Sequence, residues 1–216
     1  MGDRYPGYDV LTKRHSPSWN GRTRAVIDER LAIDPTAHRF LTDAEWATLR
    51  AICARIIPQP PERNPAVPIA ALIDAKLFEN RGDGYRDVRL PPLRDAWRRA
   101  LAALDAESRH KYGGSRFHEL EPLTQDDLLR ALQEGKGSTS AWGDFPQQVF
   151  FTNRLLHDIV TAYYAHPTSW NEIGFGGPAA PRGYVRMDFD RRDPWEAAEA
   201  HPGQEQQARS DNARVG

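Results

Sequence analysis

His157 and Asp158 stand side by side in the chain, and His166, Glu172 and Arg182 follow soon after. An imidazole next to a carboxylate is the raw material of a metal site or an acid–base pair. Either role asks for a further ligand or orienting group. No second histidine or carboxylate stands four residues beyond His157 or Asp158 on their helix face, and the HExxH pattern is absent. His166 precedes Pro167, where a helix has to end because the residue before proline avoids the helical region. An imidazole at that point also suits a helix C-terminus. Glu172 has nothing at a readable spacing to orient it as a general acid or base. Capping backbone donors or pairing with Arg182 is its simpler role. There is no Ser-His-Asp or Cys-His arrangement. The single cysteine, Cys53, excludes an internal disulfide and a multi-cysteine metal site, and it reads as a core thiol.

The string Gly174-Phe175-Gly176-Gly177 resembles a phosphate loop only loosely. A dinucleotide loop needs GxGxxG between a strand and a helix, and Pro178 and Pro181 forbid a helix close behind. The glycines instead permit positive φ and the prolines fix an extended path. The whole stretch from Tyr163 to Tyr184 therefore reads as an ordered, non-helical surface. His166, Trp170, Glu172, Ile173, Phe175, Gly176, Gly177, Arg182 and Tyr184 are its candidate partner-binding residues, rich in the Trp, Tyr, Phe and Arg that anchor interfaces.

The elements that position this stretch are helical. Thr42 and Glu45 make a capping box, with Leu41 and Trp46 placed as a hydrophobic staple. Trp46, Leu49, Ile52, Cys53, Ile56 and Ile57 then line one face of a helix that Pro58 stops. A proline-rich connection leads to a second helix near residues 69–80. A third runs from Pro91-Pro92 to about Tyr112 on a stripe of Leu93, Trp97, Leu101 and Leu104, ended by Gly113-Gly114. A fourth covers about 125–134, with Thr124 as its N-cap. The fifth, about 145–165, is apolar on most of its circumference and belongs in the middle of a bundle. No stretch reads as a strand ladder. The expected fold is all-α: a small irregular bundle of about five helices over residues 34–186, an extended aromatic N-terminal arm over 1–33, a Gly/Pro-rich ordered segment after the last helix, and a largely disordered C-terminal tail over 187–216.

The 216 residues are 39% hydrophobic and 27% charged, with 29 Lys and Arg against 30 Asp and Glu. A formal charge of -1 removes the long-range attraction that nucleic-acid binders use. No apolar run approaches the roughly 18 residues of a membrane span. The N-terminus has neither an apolar h-region nor a small-residue cleavage site, so a cytoplasmic location is expected unless an exported partner carries the signal.

The helix opening LTDAEWATLRAICARIIP and the long string FFTNRLLHDIVTAYYAHPTSWNEIGFGGPAAPRGY resemble the gluconate 2-dehydrogenase subunit 3 family, over roughly residues 40–185. The most specific part is HPxxW followed by EIGFGGP and PRGY. The resemblance implies a non-catalytic small subunit with no cofactor or metal of its own. It would bind, stabilise and help mature a large FAD-binding oxidoreductase of the glucose-methanol-choline type, often alongside a cytochrome c subunit. Sugars, sugar acids and polyols are the usual substrates of such complexes. Many members begin with a twin-arginine signal, from which this N-terminus departs. The alternatives are a dissociable maturation chaperone and a stand-alone enzyme using His157, His166 and Glu172.

Overall fold

The Thr42 hydroxyl accepts from the Glu45 backbone at 3.4 Å, and the Glu45 carboxylate accepts from the Thr42 backbone at 2.9 Å. This reciprocal cap opens α2 (Asp43–Ile56), as the sequence predicts. The computed structural model describes residues 3–16, 19–85, 87–178 and 196–214. Among them no strand forms, and the all-α expectation holds. The chain divides into two compact units: Asp34–Tyr163, and Met1–Ile33 together with Tyr164–Gly216. No helix of the described residues is long and apolar enough to cross a membrane.

In the first of these units α2 packs against α3 (Ile69–Phe78), α4 (Leu93–Lys111) and α5 (Pro122–Gln133). Leu49, Ile52, Ile73, Leu77, Trp97, Leu104, Phe117 and Phe150 are fully buried there. The apolar stripes read from the sequence are the ones that meet. Asp74 of α3 is buried and accepts backbone N–H bonds from Arg39, Phe40 and Leu41, so one carboxylate shapes the entry into α2. The short α6 (Thr139–Trp142) packs on α4, where the Trp142 indole and the Lys111 ammonium both donate to the buried Glu107.

The single fifth helix expected over 145–165 is three pieces. α7 (Gln147–Phe150) passes into a π-helical segment, Phe151–Leu156, which continues as α8 (His157–Ala165). An inserted residue in the ladder of this kind re-aims side chains. Here Asn153 donates to Asp87 at 3.0 Å, and Arg154 donates to Asp83 at 2.8 Å and to the Tyr85 carbonyl at 3.3 Å. The buried side carries Phe150, Phe151, Leu155, Ile159 and Tyr163, whereas Leu156 and Val160 remain about a third exposed (37% and 36%).

The second unit overturns two sequence expectations. The segment after α8 is not wholly non-helical, because Pro167–Ile173 form α9. Pro167 sits at its first position, where its missing N–H costs nothing. The tail is not featureless either: Glu205–Asn212 form α10. Its anchor is polar, which composition could not show. Asn212 donates to the Pro6 and Ala198 carbonyls, each at 3.0 Å, and accepts from the Ala198 N–H at 2.7 Å. The N-terminal segment folds as a 3-10 turn, Val10–His15, and α1 (Gly21–Leu31), capped by Asn20. Tyr8, Val10, Trp19, Ile27 and Trp170 make this unit's core.

The carboxylate of Asp158 is completely buried between the Lys76 ammonium at 2.9 Å and the Trp97 indole at 2.9 Å. Removing one member of such a pair leaves a buried charge uncompensated. Asp158→Ala is expected to cost about 3 kcal/mol in urea denaturation. Asp127→Ala, which loses only a surface pair with Arg130, should leave the midpoint where it was.

Candidate functional site

α8 ends at Ala165, and Arg30 of α1 donates to the Ala165 carbonyl at 2.8 Å. His166 then caps α9. Its Nδ1 accepts from the Thr168 N–H, its carbonyl accepts from the Ser169 hydroxyl at 2.8 Å, and the ring is 3% exposed. Burial pushes the imidazole below its ordinary pKa, so it stays neutral and keeps the accepting nitrogen. Trp170, one turn on, is 1% exposed and donates from its indole to the Tyr164 carbonyl at 2.7 Å.

The other end of α9 closes in a Schellman turn. The Phe175 N–H reaches the Trp170 carbonyl at 3.0 Å and the Gly174 N–H reaches that of Asn171 at 3.4 Å. Gly174 takes the left-handed conformation, φ +63°. The apolar contact that accompanies this motif is present, since Phe175 meets Trp170 edge-on with centroids 5.3 Å apart. A Cβ on Gly174 would lie 2.6 Å from the Tyr5 ring, and one on Gly177 (φ +78°) would lie 2.7 Å from the Trp19 ring. Both glycines therefore serve close packing as well as backbone geometry. The string read as a surface holds the N-terminal segment in place. Asn171 accepts from the Val10 N–H at 2.8 Å, and Lys13 donates to the Gly176 carbonyl at 2.7 Å.

The candidate partner-binding residues thus separate into three sets. Trp170 and His166 turn their side chains into the chain's own unit and Gly177 is buried against Trp19, so the reading of these three as partner contacts is corrected. Glu172, Ile173 (45% exposed) and Phe175 (41%) point to solvent, with Gly176 partly exposed between them. Arg182 and Tyr184 lie outside the described residues, as does any pairing of Arg182 with Glu172.

Of the residues considered for catalysis, His166 and Glu172 do not assemble. His166 and Glu172 occupy opposite ends of α9, one buried and one exposed. His157 belongs to the other unit, where its Nδ1 lies 3.4 Å from the Asp158 carboxylate. There the fold adds a third group that local spacing cannot reveal, because Asp83 arrives from a distant loop. Asp83, His157 and Asp158 place one potential ligand atom each within 4.8 Å of the others. Two side-chain cations already fill that space. Lys76 bonds both carboxylates, at 2.7 and 2.9 Å, and Arg154 lies 2.8 Å from Asp83 and 3.7 Å from Asp158. Two negative charges facing two positive ones need no metal ion. Cys53 is buried and its thiol is pushed up by desolvation, as expected of an inert core cysteine.

Sequence reasoning also missed Lys13. It is fully buried beside a cavity of about 310 Å³ lined by Tyr5, Gly174, Phe175, Gly176, Glu196 and Ala197. Desolvation brings its ammonium down to about 8, against an opposing pull from Glu196.

Residues 43–177 match the family described as Gluconate 2-dehydrogenase subunit 3. The chain belongs to that family. The family's span opens at the first residue of α2 and closes on Gly177, so it takes in the α9 turn and both close-packed glycines. No curated protein and no solved structure matches.

Gly174→Ala is expected to lower stability by about 2 kcal/mol, from the left-handed backbone plus the clash with Tyr5. Adding Tyr5→Ala should relieve only the clash, which urea denaturation of the single and double variants will separate. For Lys13 the folded chain releases its proton more readily than the unfolded chain, whose value is near 10.5. The unfolded state then binds more protons between about pH 8 and pH 10.5, and stability rises with pH across that window. Replacing Lys13 by Met should abolish this slope, read as the difference between the two proteins' denaturation midpoints from pH 7 to 10.5.

Proposed function

We propose that this chain is a non-catalytic small subunit that binds, stabilises and helps mature a large FAD-dependent oxidoreductase subunit of the glucose-methanol-choline type. The observation that carries this reading is the family match through α2–α9, since the family is named for a subunit of a dehydrogenase. The substrates would be sugars, sugar acids or polyols, handled by the large subunit with its FAD, and a cytochrome c subunit would accept the electrons. This chain would work in whichever compartment houses that large subunit.

The local geometry supports a binding role. Ile173 and Phe175 are exposed apolar side chains on a turn whose path is fixed by the Schellman bonds and by Trp170 beneath. A rigid turn loses little conformational entropy when a partner covers it. Exposed apolar side chains beside Glu172 and Gly176 make a small anchor of the kind that dominates interface energetics. By contrast, His157, His166 and Glu172 are engaged separately, which is why the stand-alone enzyme reading is set aside.

Co-expression with a large flavoprotein subunit of the glucose-methanol-choline type, followed by size-exclusion chromatography, tests the reading. Co-elution is expected, with loss of soluble, FAD-loaded large subunit when this chain is omitted. Separate elution with a normally FAD-loaded partner would overturn it. Separate elution combined with poor FAD loading would identify a dissociable chaperone instead. Ile173→Ala with Phe175→Ala should weaken the complex by about 2 kcal/mol or more. Leu123→Ala, at an exposed position on α5, should not change it.

A further inference from the structure

Several arginines on the surface of the helical unit face a carboxylate. Arg55 pairs with Asp126, Arg81 with Glu79, Arg89 with Asp87, Arg99 with Asp144 and Arg130 with Asp127. Arg39, Arg94 and Arg98 do not: among the described residues no acidic group lies within ion-pair distance of them. These three converge on two phenylalanine rings. The Arg39 guanidinium lies 4.2 Å from the centroid of Phe78, and those of Arg98 and Arg94 lie 4.4 and 5.3 Å from that of Phe40. Phe78 is 45% exposed, and Arg39 and Arg98 are exposed.

The arrangement is held in place from below. Arg94 donates through Nε to the Leu77 carbonyl at 2.7 Å and through its terminal nitrogen to that of Phe78, so it caps the C-terminal end of α3. Arg98 donates one bond to the Phe40 carbonyl at 2.9 Å. The nearest buried carboxylate, Asp74, is turned inward onto the backbone N–H groups of residues 39–41. Arg39 uses none of its five side-chain N–H donors within the described chain, and Arg98 uses one. What faces outward is therefore three positive charges, fixed forks of N–H donors and an exposed aromatic ring. Guanidinium forks match carboxylates bidentately, and stacking on a ring leaves those edges open.

We infer that this face, built from Arg39, Phe40, Phe78, Arg94 and Arg98, docks an acidic segment of the large flavoprotein subunit. Charge complementarity sets the chemistry of the occupant: among the described residues no carboxylate lies within ion-pair distance of these three guanidiniums, so the partner supplies the carboxylates. The near-neutral chain lacks the net positive charge that a phosphate polymer attracts, and three guanidiniums around two rings fit a short carboxylate-bearing segment with an apolar contact for Phe78. Naming the large flavoprotein subunit as the occupant rests on the accessory-subunit reading.

Surface-immobilised large subunit, titrated with this chain at several salt concentrations, tests the docking. Arg39→Glu with Arg98→Glu should weaken binding at least tenfold and flatten its salt dependence, while circular dichroism and the melting temperature stay those of the folded protein. Should the double variant not fold, Arg39→Glu alone, whose side chain makes no hydrogen bond within the described chain, should still weaken binding several-fold. Wild-type binding that the folded variants retain would overturn the docking and leave the accessory-subunit reading standing. Absence of wild-type binding would overturn both. Binding of a random-sequence DNA duplex as tightly as the large subunit would assign the face to phosphate and overturn the inference.

Discussion

A left-handed backbone at Gly174 is the constraint on which the family-specific end of this chain depends. With φ at +63° the Phe175 N–H turns back onto the Trp170 carbonyl and ends α9. Without a Cβ the same glycine admits the Tyr5 ring, whose carbon would otherwise be 2.6 Å away. Gly177 repeats the device against Trp19. Three results follow from one turn: Trp170 is sealed into a core with Trp19, the N-terminal segment has a surface to lie on, and Ile173 and Phe175 face solvent. No bulkier residue satisfies the backbone and the packing together.

The helical unit is organised by charge as much as by apolar burial. Asp74, Glu107 and Asp158 are buried carboxylates, and each is answered by backbone N–H groups, an indole or an ammonium. The π-helical segment feeds Asn153 and Arg154 into the same scheme, tying the loop of Asp83 and Asp87 to the central helix. That balance is why a cluster with the residue types of a metal centre needs no metal. It leaves the arginine–phenylalanine face around Phe40 and Phe78 as a place where, among the described residues, three guanidiniums have no carboxylate within ion-pair distance, and such a set of like charges is costly to hold together unless something outside the unit pairs with it.

Much of this was legible in the residues. The Thr42–Glu45 capping box, the apolar faces of α2 to α4 and the inert Cys53 all appear as read, because each depends on neighbours within a few positions. The HPxxW and GFGG strings mark a segment whose side chains divide, with Trp170 and His166 turned into the chain's own core and Ile173 and Phe175 facing solvent as read. Trp170 reads as an anchor from sequence because an aromatic beside glycines and prolines looks the same whether it faces outward or inward. The tail reads as disordered because its few apolar groups cannot make a core, yet Asn212 alone satisfies three backbone groups.

The sequence by itself determined the all-α class, the capping box and apolar faces of the first helices, and the family, since these are properties of local spacing: 3.6-residue periodicity, capping pairs and glycine or proline at fixed offsets. The tertiary structure decided which charges meet and which stay unpaired, that Trp170 lies inside while Phe175 lies outside, and that Lys13 is buried against Gly176. Those outcomes depend on which distant segments share one small volume. The free energy of a charge or an aromatic ring is set there by solvent exclusion and by partners, neither of which local spacing specifies.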